Sequence, residues 1–244
     1  MRGIGRQSSV DFGAYARAVP LYFRNPALAL APLIVSLIGL VLIIISPPGS
    51  GPLSGLSGGI TSLLVQLIDS FGLAISVILA DSAWRRGRAS FSDAWDEGRR
   101  KAGDILMAAL GYTFLIYVAG LVGGFVGGLG SIALSAVAMY FFIYTIPAAA
   151  IGGIPGGAAL QVSIERVQSS YLNSLLLAIV FAVFAYEFTV VWGYAAVWLA
   201  TLSDFFANTI AVQLIGAVIK ALGLGYLALV MAKAYNDVSY RRIY

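Results

Sequence analysis

Three ionisable residues stand inside otherwise apolar stretches of this chain: Asp69, Glu187 and Lys220. An isolated charge at bilayer depth costs at least about 2.5–3.5 kcal/mol, so such residues pair, hold an ion or face water. Two carboxylates and one ammonium are not neutral unless one carboxyl holds a proton. One reading is therefore a proton- or ion-coupled site, with Lys220 paired to one acid and the other acid carrying the proton. The other reading is a structural ion pair and a protonated carboxyl that keep the helices in register. Either way the chemistry is binding and coupling. The chain has no cysteine and no histidine, which removes thiol nucleophiles, disulfides, imidazole-based triads and Cys/His metal sites. No catalytic residue, metal or cofactor is expected.

The neighbours of these charges have the spacing of inward faces. Ser62, Gln66, Asp69, Leu73 and Ser76 fall at i, i+4, i+7, i+11 and i+14, a polar stripe interrupted by Leu73. Gln213, Gly216, Lys220 and Gly223 form a second stripe, in which the glycines allow a neighbouring helix to come close. At 1.5 Å per residue, Asp69 lies about 14 Å from the outer end of its span, Lys220 about 18 Å and Glu187 about 20 Å. All three can meet near mid-bilayer, with Gln66 and Gln213 as further binding or ion-coupling groups.

The elements that must position them are membrane spans. Of the 244 residues, 60% are hydrophobic and 11% charged, with a mean hydropathy of +0.91, a balance that excludes a soluble domain. About 20 apolar residues cross the hydrocarbon core. That window gives six spans: 28–46, 60–84, 105–127, 130–150, 174–200 and 208–234. Apart from Lys220, the 15 basic residues lie in four segments: Arg2, Arg6, Arg17 and Arg24; Arg85, Arg86, Arg88, Arg99, Arg100 and Lys101; Arg166; and Lys233, Arg241 and Arg242. The alternate loops carry none. The positive-inside rule then puts both termini in the cytoplasm of a multi-pass plasma-membrane protein. Trp192, Tyr194 and Trp198 suit the aromatic belt at the outer end of span five. The net charge of +4 hugs the span ends and signals no nucleic acid. A polar, arginine-bearing lead-in before Leu28 predicts that no signal peptide is removed.

Each of the first three basic segments reads as a short amphipathic helix leading into two spans. Ser90 and Asp93 have capping-box spacing ahead of a helix whose apolar face is Phe91, Ala94, Trp95, Gly98 and Ala102. A second such helix covers roughly 157–171, with Leu160, Ile164, Val167 and Tyr171 on one face and Arg166 pointing away. A third covers roughly 10–24, with Pro20 as a candidate break. The fold class is all-α: one integral membrane domain, readable as parallel repeats over 10–84, 90–150 and 157–234.

The segments Tyr22–Leu33 (YFRNPALALAPL), Arg86–Leu106 (RGRASFSDAWDEGRRKAGDIL) and Gly157–Leu177 (GAALQVSIERVQSSYLNSLLL) resemble the repeated pattern of a broad prokaryotic group of six-span membrane proteins. That group is similar to the membrane domain attached to some glycerophosphodiester phosphodiesterases. The resemblance covers most of the chain and implies a fold. It supplies no catalytic positions, and the phosphodiesterase activity does not carry over.

Gly120, Gly124 and Gly128 recur every four residues, a spacing that suits close helix crossing within the bundle or at a homodimer face. Arg85, Arg86, Arg88, Arg99, Arg100 and Lys101, with Trp84 and Trp95, suit contact with anionic lipid headgroups. The function these features predict is transport or permease-like handling of a small or amphiphilic solute. The alternative is a structural or accessory protein working through lipids, a membrane partner protein or a second copy of itself.

Overall fold

The computed structural model describes residues 12–45, 54–186, 191–202 and 209–240, and among them every regular element is helical. In chain order these are α1 (Phe12–Arg24), a 3₁₀ turn (Pro26–Ala29), α2 (Leu30–Ile45), α3 (Ser54–Arg86), α4 (Phe91–Arg100), α5 (Ala102–Gly124) and α6 (Gly128–Phe142). They continue with α7 (Thr145–Ala150), α8 (Gly156–Ser169), α9 (Tyr171–Tyr186), α10 (Trp192–Leu202) and α11 (Thr209–Tyr240). Four stretches are long and apolar enough to cross a bilayer: Ile60–Arg86, Ala102–Gly124, Gly128–Ala150 and Ile210–Val238. Two further pairs pass the same test together but are sharply bent, by 95° between α1 and the 3₁₀ turn with α2, and by 114° between α8 and α9. The chain is a multi-pass membrane protein with four to six spans.

The bends lie where the sequence places amphipathic lead-ins. α1 buries only the small side chains Ala14 and Ala18 and exposes Phe12 and Phe23. It runs unbroken through Pro20, contrary to the expected break. The carbonyl that Pro20 deprives of a donor belongs to Ala16, on the exposed face, where it need not be met by protein. α4 begins as predicted, with Ser90 Oγ accepting from the Asp93 amide at 3.5 Å. Its Trp95 stacks on Phe91 and meets Phe71 of α3 edge-on. Gly98 is buried so closely on α3 that an added Cβ would lie 2.8 Å from Ile75.

Asn25 ties the first corner to the second. Its amide donates to the Leu21 carbonyl at 3.0 Å and the Gly87 carbonyl at 3.2 Å, and its Oδ1 accepts from the Ala89 amide at 3.0 Å. The 3₁₀ turn is pinned to α3 by Ser76, whose buried hydroxyl donates to the Leu28 carbonyl at 2.8 Å.

α3 and α11 form the centre. Leu73–Ala80 of α3 and Leu227–Ala232 of α11 are buried throughout, enclosed by α1, α2, α5, α7 and the 3₁₀ turn. The Arg85–Arg86 end of α3 is joined to α11 by Trp84, which donates to the Leu229 carbonyl at 2.9 Å, and by Asn236, which donates to Asp81 at 2.7 Å. α5 and α6 lie at the periphery, packed mainly on each other, with most large side chains facing lipid.

The fourth expected span is divided. α6 stops at Phe142 and α7 resumes at Thr145, because Pro147 has no N–H for the Ile143 carbonyl. Ser163 of α8 repairs the gap: its hydroxyl accepts from the Tyr144 amide at 3.0 Å and donates to the Phe141 carbonyl at 2.9 Å.

Candidate functional site

The two polar stripes meet. Lys220 of α11 donates to Asp69 Oδ2 of α3, joining the two central helices where each is about a quarter exposed. The pair lines two open-sided pockets. The larger, about 430 Å³, is bounded by α3, α5, α6, α9 and α11, with Gln66, Ser70, Tyr112 and Thr113 as polar walls and Phe142, Phe181 and Phe184 as aromatic ones. The smaller, about 210 Å³, is bounded by α2, α3, α10 and α11 and includes Ser36, Trp192, Gln213 and Gly216. Asp69 and Lys220 are common to both. The ion pair is a partition between them.

This partition keeps spare hydrogen-bonding capacity. Asp69 Oδ1 is buried without a partner, and so is Ser36 Oγ in the smaller cavity. An ammonium has three donors, so Lys220 keeps donors beyond the one given to Asp69, whereas the buried Asp69 Oδ1 takes a new partner only if the carboxylate turns.

The local sequence explains the space. Gly216 sits against Trp192, whose Nε1 would be 2.5 Å from an added Cβ, and Gly223 lies under the Phe184 ring. These glycines bring α10 and α9 onto α11 on either side of Lys220, as the second stripe implies. Gln213, Gly216 and Lys220 line the smaller cavity and Gly223 forms the adjoining aromatic contact. On α3, Gln66, Asp69 and Leu73 line the larger cavity. Leu73, the apolar interruption, thus belongs to the same face. Ser76 does not reach the site because its hydroxyl is committed to Leu28.

Glu187 lies outside the described residues, as do Arg2, Arg6, Arg241 and Arg242. α9, which precedes Glu187, delivers Phe181 and Phe184 to the larger cavity.

A third cavity, about 680 Å³, lies between α3, α5 and α6 and shares Gln66 and Thr113 with the larger ion-pair cavity. Ser62, Gly120, Ser131 and Ser135 belong to its wall. Gly120 is needed there, since a Cβ would come within 2.9 Å of Ser135 Oγ. The expected packing line of Gly120, Gly124 and Gly128 is otherwise replaced. Gly123 makes the tight contact, 2.2 Å from an added Cβ to the Gly130 carbonyl oxygen, while Gly124 and Gly128 face open space. The helix ends at Gly124, so the every-fourth-residue spacing cannot continue to Gly128 on one helical face.

Two basic residues differ from expectation. Lys101 is held by Glu97 at 2.6 Å and by the Ala150 carbonyl at 2.8 Å at the α4–α5 junction, so it serves the fold and not a headgroup. Arg166 points inward, donating to the Tyr235 carbonyl at 2.6 Å with its guanidinium 3.5 Å over the Tyr235 ring. Arg85 pairs with Asp81 at 3.0 Å, and Arg86, Arg88, Arg99 and Arg100 remain exposed.

Sequence reasoning missed Ser36, Tyr112, Thr113, Phe142, Phe181 and Phe184. Apolar and hydroxyl side chains in an apolar span carry no signal of which cavity they face. Comparison with protein-family models, with characterised proteins and with solved structures finds no match for this chain. Function is read from the geometry.

Proposed function

We propose that this chain handles a small or amphiphilic solute in the manner of a permease, with the Asp69–Lys220 pair as the binding and coupling element. The observation that carries the reading is the pair's position as the shared wall of two cavities, with Asp69 Oδ1 unpartnered. A solute that engages either charge competes with the pair, so its binding favours opening of the partition. An ion pair also resists one-sided leakage, because breaking it without a substitute partner exposes two charges to a low dielectric.

The proposed setting is six spans, with each bent pair contributing one through its second helix (α2 and α9), with α1, α4 and α8 as interfacial helices and both termini cytoplasmic. The exposed arginines of the α3–α4 loop and α4 then face anionic lipid on the cytoplasmic side. The resemblance to the six-span prokaryotic group is compatible with this arrangement and stays a proposal about fold.

Because the chain has no cysteine, accessibility of the two cavities can be read with single cysteines. Ser36→Cys probes the smaller and Ser70→Cys the larger. In oriented proteoliposomes, a membrane-impermeant thiol reagent should modify the two from opposite faces. In the Lys220→Met background each should become reactive from both. Modification of both from the same face, or of neither from any face, overturns the reading. A wholly sealed result leaves the structural or accessory role.

A further inference from the structure

The charged cavity and the groove between α3, α5 and α6 have Gln66 and Thr113 as common wall residues. The groove is lined by the hydroxyls Ser62, Ser131 and Ser135. Its outer rim is formed by Phe114 and Tyr117, which are 61% and 65% exposed. These residues lie on α5, whose apolar length crosses the bilayer, so their exposed surface meets acyl chains. Gln66 stands at the junction and turns toward the groove, donating to Ser62 Oγ at 3.3 Å. The volumes, about 430 Å³ and 680 Å³, each fall within the ordinary range for small-molecule sites.

Charge restricts what this composite site accepts. Among the described residues it holds one ammonium and one carboxylate, paired and therefore net neutral. A ligand bearing net charge would leave the site charged in a low dielectric, which is costly. A ligand with both signs offers its anion to the spare Lys220 donors and its cation to the Asp69 carboxylate, which turns its buried, unpartnered Oδ1 toward it as the pair opens. The aromatic walls Phe142, Phe181 and Phe184 also suit a quaternary or primary ammonium.

We propose that the solute is a single-chain lipid with a zwitterionic head group, which enters sideways from the bilayer, places its head at Asp69–Lys220 and leaves its chain in the α3–α5–α6 groove. This rests on the reading of the ion-pair cavity as a solute site and adds the class of solute and its route. On this route the head passes the wall that Gln66 and Thr113 share, so these side chains decide which lipids reach the pair.

The test uses the full-length protein in detergent with two reporters, Ser70→Cys beside the ion pair and Ser135→Cys in the groove. Ser131→Cys replaces the latter if it does not elute as a single species. Maleimide reaction rates are measured with lysophosphatidylcholine, lysophosphatidylglycerol or phosphocholine. At about ten times its Kd a ligand leaves about a tenth of the sites free, so labelling slows about tenfold. Lysophosphatidylcholine should slow both reporters. The anionic lysolipid should protect Ser70→Cys less, and Asp69→Asn with Lys220→Met should erase that difference. The inference fails if neither reporter is slowed, or if the two lysolipids act equally at Ser70→Cys. It fails too if phosphocholine, which lacks a chain, protects Ser70→Cys as well as the lysolipid does. In that last case a soluble solute remains and the two-sided access of the cavities is untouched. Protection of both reporters without two-sided access leaves a lipid-binding site and ends the transport reading.

Discussion

Lys220 donates to Asp69 across 151 positions of sequence, and the bond joins the two most deeply packed helices of the molecule. The contact is neither wholly sealed nor wholly open: the two side chains are 27% and 22% exposed. A sealed pair would act as a fastener and an open one would contribute little. Partial exposure between two open-sided pockets leaves the pair able to exchange partners.

Single neutralisations should therefore destabilise, and a double one should recover. Asp69→Asn strands the ammonium and Lys220→Met strands the carboxylate. A fully buried pair loses about 3–5 kcal/mol when one partner goes, and this one should lose less because it is partly exposed. The double variant removes both charges and should melt above either single. The check is a double-mutant cycle of thermal unfolding in detergent, where a positive coupling energy is expected and additivity contradicts the pairing.

The aromatic wall should be sensitive to any side chain at position 223. A Cβ on Gly223 would lie 1.8 Å from Phe184 Cε2, so Gly223→Ala forces the ring out of the cavity wall. Overpacking of this kind costs about 1–3 kcal/mol. Phe184→Leu in the same chain should restore much of the loss. Unfolding midpoints of the two singles and the double decide it, and failure of rescue would place the strain elsewhere.

What could be read in the sequence was what repeats with the helical period. The stripes through Asp69 and Lys220 were legible because a polar residue in a span has few places to go, while similar depth allowed the two to meet without fixing that their helices face each other. The start of α4 was legible from Ser90. The division of the fourth span was not, although Pro147 was visible, because the repair comes from Ser163 in another helix. The inward turn of Arg166 escaped for a similar reason. Its position on α8 looked solvent-facing, and only the return of α11 brings Tyr235 beneath it. The groove at Gly120 depends on where α5 ends, which glycine spacing alone does not fix.

Asn25 offers a test of the corner between α1, the 3₁₀ turn and the α3–α4 loop. Asn25→Ala removes three hydrogen bonds at once and leaves the Gly87 carbonyl and Ala89 amide without their partner. Each buried group so stranded costs about 1–3 kcal/mol, less where water can reach it. Arg85 and Arg86 end α3 and Arg88 lies in the loop, so loosening should appear as faster tryptic cleavage there. Asn25→Asp keeps the acceptor for Ala89 but sets a buried carboxylate against the Leu21 and Gly87 carbonyls, and should be cleaved at least as fast as Asn25→Ala.

The repair of the broken span can be isolated at Ser163. The hydroxyl serves one donor and one acceptor of the α6–α7 break, and Ser163 is wholly buried. Ser163→Ala leaves the Tyr144 amide and the Phe141 carbonyl unmet inside the protein, at a cost of about 1–3 kcal/mol for each. Phe142 and Ile143, at the break, also line the ion-pair cavity, so the damage should be transmitted to the site. Hydrogen exchange should speed up at Tyr144, and maleimide should react faster with Ser70→Cys across the cavity. Faster exchange at Tyr144 with unchanged labelling would mean that the break supports the fold alone. Both changes together would make Ser163 a positioning residue for the cavity that holds Asp69 and Lys220.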